Sequence, residues 1–95
     1  MRPILLPLKN YSGTITAGGT AQDVYADNQA PKSYFLFQNV SDTDMTIDFG
    51  ITAVEGTGIL VKSGLAYEMP RFAMFTGRLS VLCATTGKAF VCKTA

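Results

Sequence analysis

Three closely spaced aspartates, Asp42, Asp44 and Asp48, are the residues whose spacing most invites a chemical interpretation, namely calcium binding. A calcium loop of the EF-hand type beginning at Asp42 would need glycine at position 47 and glutamate at position 53. The chain has Ile47 and Ala53 there, so the pattern fails. We predict instead that Asp44 and Asp48 line the solvent-facing side of a strand, and we expect no metal site.

The cysteines and the remaining carboxylates give no catalytic pattern either. A cysteine nucleophile needs an activating base, and the chain contains no histidine, which also excludes His-based triads and His-ligated metals. Paired acid–base carboxylates need environments that separate their pKa values, yet Asp23, Asp27, Glu55 and Glu68 fall in or near predicted loops that do not pair them. We therefore predict no catalytic residue, no enzyme activity, no cofactor and no small-molecule substrate.

The composition limits the partners of the chain. Its 95 residues suit a single domain, its net charge is only +1, and only 16% of its residues are charged, against about 25% in a typical soluble domain. Proteins that bind duplex nucleic acid usually carry a strong basic excess, so nucleic acid is not an expected partner. The apolar run Ile4–Leu6 is far shorter than a signal-peptide core or a membrane span. We expect no membrane association, and we expect the protein to be made and assembled in a cytoplasm.

The elements that must position these residues are predicted to be strands. No long window has the apolar spacing of a helix, and short apolar runs alternate with glycine- and threonine-rich turns, a pattern typical of antiparallel β-sandwiches and barrels. We predict an all-β fold, an antiparallel β-sandwich or barrel for which a jelly-roll-like form is one candidate. Pro3 and Pro7 favour extended backbone, so residues 1–10 are assigned to an extended N-terminal arm or edge strand and residues 11–95 to a single β domain.

The predicted strands can be placed from their alternation. They cover residues 12–17, 20–25, 33–40, 44–49, 59–61, 65–69, 79–84 and 89–93. Both faces of the strand at 33–40 are apolar, which predicts a central strand covered on both sides. We predict that it forms a hairpin with residues 44–49, and that residues 79–84 and 89–93 form a closing hairpin whose turn contains Gly87.

The closing hairpin would place the two cysteines. Cys83 would face Phe90, and Val81 would face Cys92, so the two cysteines would share a face on a diagonal. Diagonal neighbours lie about 7–8 Å apart between Cα atoms, which is beyond the usual reach of a disulfide. We predict two buried, free thiols that act as small apolar side chains.

Three aromatic residues follow a lysine closely and could form a stacking surface for single-stranded nucleic acid. They are Tyr34, Phe35 and Phe37, after Lys32. The two phenylalanines alternate with Leu36, which favours a place in the core over a stacking surface.

Two apolar segments lie where apolar residues are less expected. One is the proline-flanked terminal arm and the other is a predicted connection before Thr76. Either they pack on their own domain, or they are buried against neighbouring subunits, as large exposed apolar patches often are. We predict the second arrangement, with an interface made by Ile4, Leu5, Leu6, Leu8, Phe72, Met74 and Phe75.

About two-thirds of the chain resembles a known type of protein. The resemblance rests on Phe-Leu-Phe-Gln-Asn-Val-Ser-Asp-Thr-Asp-Met-Thr-Ile-Asp-Phe-Gly-Ile-Thr-Ala at 35–53, on Gly-Ile-Leu-Val at 58–61, on Gly64, on Tyr-Glu at 67–68 and on the closing segment 79–93. In these turns and strand ends the chain is similar to small all-β structural proteins of tailed-bacteriophage virions, and most like capsid decoration (cement) proteins.

The resemblance implies a structural role on the capsid surface of a virion. The expected partners are the major capsid protein and copies of the chain itself, as a dimer or trimer that stabilises the capsid. A neck, tail or fibre-attachment component is the first alternative. A single-stranded nucleic-acid-binding β-barrel is the second, and it predicts salt-dependent oligonucleotide binding.

Overall fold

The computed structural model describes residues 8–31, 33–69 and 76–95. These residues form short strands joined by turns, with one 3-10 turn at Asp27–Gln29. The strands are β1 (Lys9–Asn10), β2 (Gly13–Thr14), β3 (Gln22–Tyr25), β4 (Phe35–Asn39), β5 (Met45–Phe49), β6 (Ile59–Val61), β7 (Ala66–Met69), β8 (Leu79–Cys83) and β9 (Ala89–Thr94).

The strands form two antiparallel sheets that pack face to face. One sheet has the order β1-β9-β4-β7, with β2 also paired to β9, and the other has the order β3-β8-β5-β6. Consecutive strands lie in opposite sheets except for β1 and β2, which both pair with β9, and for β5 and β6, which pair directly. When β1 and β2 are counted as one strand, the eight strands follow the jelly-roll order. The predicted all-β sandwich is confirmed, and its topology is the jelly roll.

The segment from β1 to β2 behaves as one interrupted edge strand along β9. Lys9 lies opposite Thr94, and Gly13 lies opposite Phe90. Between them the Ser12 hydroxyl accepts a hydrogen bond from the Cys92 backbone N–H at 3.0 Å. A side-chain oxygen thus replaces a backbone acceptor where the ladder is broken. Of the predicted arm, residues 1–7 lie outside the described residues.

The core lies between the sheets and follows the alternation of the strands. Phe35 and Phe37 on β4 are fully buried, which confirms their predicted place in the core. Phe35 lies 5.1 Å from Phe49 of the opposite sheet, measured between ring centroids, so β4 faces β5. The other buried apolar residues are Ile15, Tyr25, Met45, Ile47, Ala53, Val61, Met69, Leu79, Val81, Cys83, Phe90 and Cys92.

The predicted pairing of residues 33–40 with residues 44–49 is wrong. Strand β4 is central, between β9 and β7, whereas β5 belongs to the other sheet, so the turn between them is an arch. The Asn39 side chain fixes the arch. Its Nδ2 donates to the Thr43 and Val61 carbonyls at 2.8 and 2.9 Å, and its Oδ1 accepts from the Ser41 backbone N–H at 3.0 Å.

The expectation that β4 is covered on both faces is also wrong. Phe35, Phe37 and Asn39 point into the core, but Gln38 on the opposite face is exposed and Leu36 is only half-buried. An antiparallel sheet commonly leaves one face in water, and the outer face of β4 follows that rule.

The predicted closing hairpin is also wrong, because its two strands lie in different sheets. Strand β8 pairs with β3 and β5, whereas β9 pairs with β4 and β1. Cys83 therefore lies opposite Met45, and Cys92 lies opposite Phe37, in different sheets. Both cysteines are buried and free, so the predicted state of the thiols is confirmed although their predicted relation is not.

Candidate functional site

Leu8 is the one residue of the predicted interface that the structure describes. Its side chain is 58% exposed and lies beside the start of β1. The other predicted interface residues, Ile4, Leu5, Leu6, Phe72, Met74 and Phe75, lie outside the described residues. Their burial against a neighbour stays a prediction.

Other large apolar side chains are exposed in the described part of the chain. Val40 and Leu65 lie near the end of the β4–β7 pair, where the Asn39 backbone N–H donates to the Leu65 carbonyl at 2.9 Å. Ile51 and Val54 belong to the loop between β5 and β6, and Leu60 lies on β6. Each of these five side chains is about half exposed. Exposed apolar side chains that lie close together are typical of interaction surfaces.

A large depression lies on the outer face of the β3-β8-β5-β6 sheet. It is an open groove of about 780 Å³, within the size range of binding clefts. Thr46 on β5, with Leu60 on β6 and Leu82 on β8 directly opposite it, forms its floor. We call this depression the acidic groove. Its lining residues are Asp42, Thr43, Asp44, Thr46, Glu55, Gly56, Gly58, Leu60, Leu82, Cys83 and Ala84.

The loop at residues 50–58 packs on the same outer face. The Ala53 backbone N–H donates to the Ser80 hydroxyl at 3.0 Å, and both residues are buried. A Cβ at Gly58 would lie 2.5 Å from Cγ2 of Thr46, so only glycine permits this approach. Thr46 is consequently buried, although its side chain is on the outer face.

Carboxylates give the acidic groove its charge. The Asp42 carboxylate lies 2.7 Å from the Lys88 ammonium, and this hydrogen bond lowers the pKa of Asp42. Asp44 accepts a hydrogen bond from the Ser63 backbone N–H at 2.9 Å, and Glu55 is exposed in the loop. The groove therefore holds three carboxylates close to one ammonium group, a surface that favours a cationic partner.

The three aspartates whose spacing resembles a calcium loop do not converge on one point. Asp42 pairs with Lys88, Asp44 with Ser63, and Asp48 accepts from the Phe49 backbone N–H at 2.9 Å. Within residues 8–31, 33–69 and 76–95, no cluster of three or more acidic or cysteine side chains has the geometry of a metal site.

Two titratable groups inside the sandwich, the Cys92 thiol and the Tyr25 hydroxyl, are held in their neutral forms. Burial raises the pKa of the Cys92 thiol to about 12, so the thiolate is scarce at neutral pH. Burial also raises the pKa of Tyr25, and the Cys92 and Tyr11 side chains add to this effect. The Tyr25 hydroxyl has no hydrogen-bond partner among the described residues. These groups act as core side chains.

Comparison with known proteins gives no match to a family model, to a curated protein or to a solved structure. In the described part of the chain, no helix has the length and apolar character that crossing a membrane would require. Function must therefore be inferred from the fold, the exposed apolar residues and the acidic groove.

Sequence reasoning missed the acidic groove. Its floor comes from β5, β6 and β8. The predicted partners of β5 and β8 are wrong, and no partner was predicted for β6. Its wall is a loop that turns back over its own sheet. One signal was available, because Ile51 and Val54 are apolar residues in a glycine-punctuated loop. Apolar loop residues either pack on their own domain or bind a partner. Both of these side chains are exposed, which favours the second alternative.

Proposed function

We propose that the chain is a structural virion protein that binds the outer surface of a phage capsid as an oligomer and stabilises it. The observation that carries the proposal is a jelly-roll sandwich with large apolar side chains left exposed around it. Jelly rolls are frequent among viral capsid domains, and this part of the argument is an analogy of fold. The sequence resemblance to decoration proteins supports the same role.

The mechanism of stabilisation is burial of apolar surface between subunits. Leu8, Leu60 and Leu65 are each more than half exposed in the single chain. Removing apolar surface from water contributes about 25 cal/mol per Å². Contacts that are individually weak become significant when many copies bind one shell, because linked binding events add avidity.

Co-sedimentation with purified capsid shells tests the proposal. We expect saturable binding at many equivalent sites, together with greater resistance of the loaded shells to heat. A chain that stays in the supernatant at every shell concentration would overturn the proposed function. Binding confined to one vertex would instead favour the neck, tail or fibre-attachment alternative.

The nucleic-acid alternative gains no support from the aromatic residues that suggested it. Phe35 and Phe37 are fully buried, and the Tyr34 hydroxyl donates a hydrogen bond to the Glu68 carboxylate. The two phenylalanine rings are therefore unable to stack with bases.

A further inference from the structure

The acidic groove presents both apolar and anionic surface, and one bound segment of suitable chemistry could cover both. Leu60 is 55% exposed and Leu82 is half-buried, so the floor presents aliphatic surface to water. Asp44 and Glu55 stand beside it without a cationic partner among the described residues. A matching occupant is extended, aliphatic and positively charged.

Residues 1–7 of the chain have this chemistry. The segment Met-Arg-Pro-Ile-Leu-Leu-Pro contains three consecutive aliphatic residues, one arginine and no acidic residue. Pro3 and Pro7 fix φ at their positions, so docking costs less conformational entropy than it would for a freely jointed segment. Prolines also lack the N–H needed to extend a sheet, which favours docking through side chains in a groove over addition of a strand.

The segment is too short to reach the groove of its own chain. Leu8 adjoins β1, and the β1–β2 edge faces β3, because the rings of Tyr11 and Tyr25 lie 5.4 Å apart. Sheets stack about 10 Å apart and strands lie about 4.8 Å apart. A chain that runs from Leu8 around the sandwich to the outer face of β5, two strands beyond β3, therefore covers about 20 Å or more. At most about 14 Å of extended chain separates Ile4 from Leu8.

We propose that residues 1–7 of one copy bind in the acidic groove of a second copy. The aliphatic side chains of residues 4–6 cover Leu60, and Arg2 lies beside Glu55. In a two-fold dimer each chain gives one arm and receives one, so two contacts close the assembly. This inference rests on the proposed oligomerisation and names the surfaces that produce it.

Complementation between two full-length variants tests this exchange. Leu5→Asp damages the arm and leaves the groove intact, whereas Leu60→Asp damages the groove and leaves the arm intact. We expect native mass spectrometry to find each variant monomeric and their equimolar mixture to form a mixed dimer, since one intact contact remains. Gln38→Asp, at an exposed position on the outer face of the other sheet, is the control and should retain the wild-type mass.

The charge contact has its own test. Arg2→Glu and Glu55→Arg should each weaken dimerisation about fivefold, because the dimer contains two such exposed ion pairs that contribute about twofold each. The doubly reversed chain should recover affinity to within about twofold of wild type, because the pair is restored. Effects that merely add in the double variant would overturn the proposed pairing.

The measurements of oligomeric mass and dimer affinity separate arm exchange from capsid binding, because they are made without capsids. A wild-type chain that stays monomeric, or a variant mixture that forms no mixed dimer, overturns arm exchange and leaves co-sedimentation to decide the proposed function. If Leu60→Asp changes capsid occupancy but leaves the oligomeric mass unchanged, the groove takes a partner other than residues 1–7 and the inference is also overturned.

Discussion

Asn39 is the residue on which the jelly-roll connection between β4 and β5 most depends. Its side chain is completely buried and uses both of its donors and its acceptor, within the arch and on β6. The Ser41 hydroxyl lies 2.7 Å from the same Oδ1 atom. Replacing Asn39 with alanine would leave the Thr43 and Val61 carbonyls without these donors.

The magnitude follows from the bonds lost. Each net hydrogen bond contributes about 0.5–1.5 kcal/mol, and each buried group left unsatisfied costs about 1–3 kcal/mol. We therefore expect Asn39→Ala to lower the free energy of unfolding by about 3–5 kcal/mol. In a domain of this size that loss lowers Tm by about 15–25 °C, a large part of the total stability.

Urea unfolding followed by circular dichroism and tyrosine fluorescence measures this loss, since the chain has four tyrosines and no tryptophan. Gln38→Ala is the matched control, because Gln38 is the exposed neighbour of Asn39 on the same strand. The control should change stability by less than about 0.5 kcal/mol. A loss at Asn39→Ala below about 1 kcal/mol would refute the role of this side chain in the arch.

An aspartate substitution separates hydrogen bonding from packing. Asn39→Asp keeps the shape and the acceptor but removes both donors and places a carboxylate beside two carbonyls. Burial among acceptors raises the pKa of the introduced carboxyl above its unfolded value. The variant is therefore less stable than wild type at neutral pH, and this difference declines as pH falls from the folded pKa toward the unfolded one. Equal stability of Asn39→Asp and wild type at pH 7 would contradict the assignment.

Three further predictions concern the core and one tight approach. Tyr25→Phe should raise the free energy of unfolding by about 1 kcal/mol, because it removes a buried hydroxyl without a partner. Tyr34→Phe, which loses a bonded hydroxyl, should not raise it. A lower free energy of unfolding for Tyr25→Phe in urea would contradict the reasoning. Burial raises the pKa of Cys92 to about 12, above its unfolded value near 8.5. The stability that comes from keeping this thiol neutral is therefore complete below about pH 8 and should decline from about pH 9 to 12. Cys92→Ala should flatten that alkaline decline in a series of pH-dependent melts, and an unchanged slope would contradict this assignment. Gly18→Ala should lower the free energy of unfolding by about 1–3 kcal/mol, since its Cβ would lie 2.5 Å from the Ala84 carbonyl oxygen. An unchanged Tm in a thermal melt would contradict this, because the loop would then accommodate the added methyl group.

The strands themselves could be predicted because alternation is a local property. Phe35 and Phe37 are separated by one residue and point to the same side of a strand, whatever the strand pairs with. The same reasoning placed Met45 and Ile47 in the core, and both are buried. Strand positions and inward-facing residues therefore followed from the order of the side chains.

The pairing of the strands could not be predicted in this way. A short turn between two apolar strands favours a hairpin, but here the Asn39 side chain supplies hydrogen bonds that let the chain cross to the other sheet. An asparagine at a strand end is common in turns of many kinds. Only the bonds to Thr43 and Val61, which is distant in sequence, distinguish this arch from a hairpin.

Burial of polar residues on the outer face was also missed. Thr46 and Ser80 lie on the outer face of their strands, which is commonly in water, yet both are buried beneath the loop at residues 50–58. The hydrogen bond from Ala53 to Ser80 joins residues 27 positions apart, so no local pattern indicates it. The acidic groove, whose wall is this loop, was missed for the same reason.

The number of copies of this chain per virion tests the central claim most directly. If the proposed function holds, quantitative mass spectrometry of the purified virions gives the ratio of this chain to the major capsid protein. Decoration of a symmetric shell predicts a simple, fixed ratio and hundreds of copies per particle, because each equivalent capsid site is occupied. A dozen copies or fewer, or none, would contradict capsid decoration.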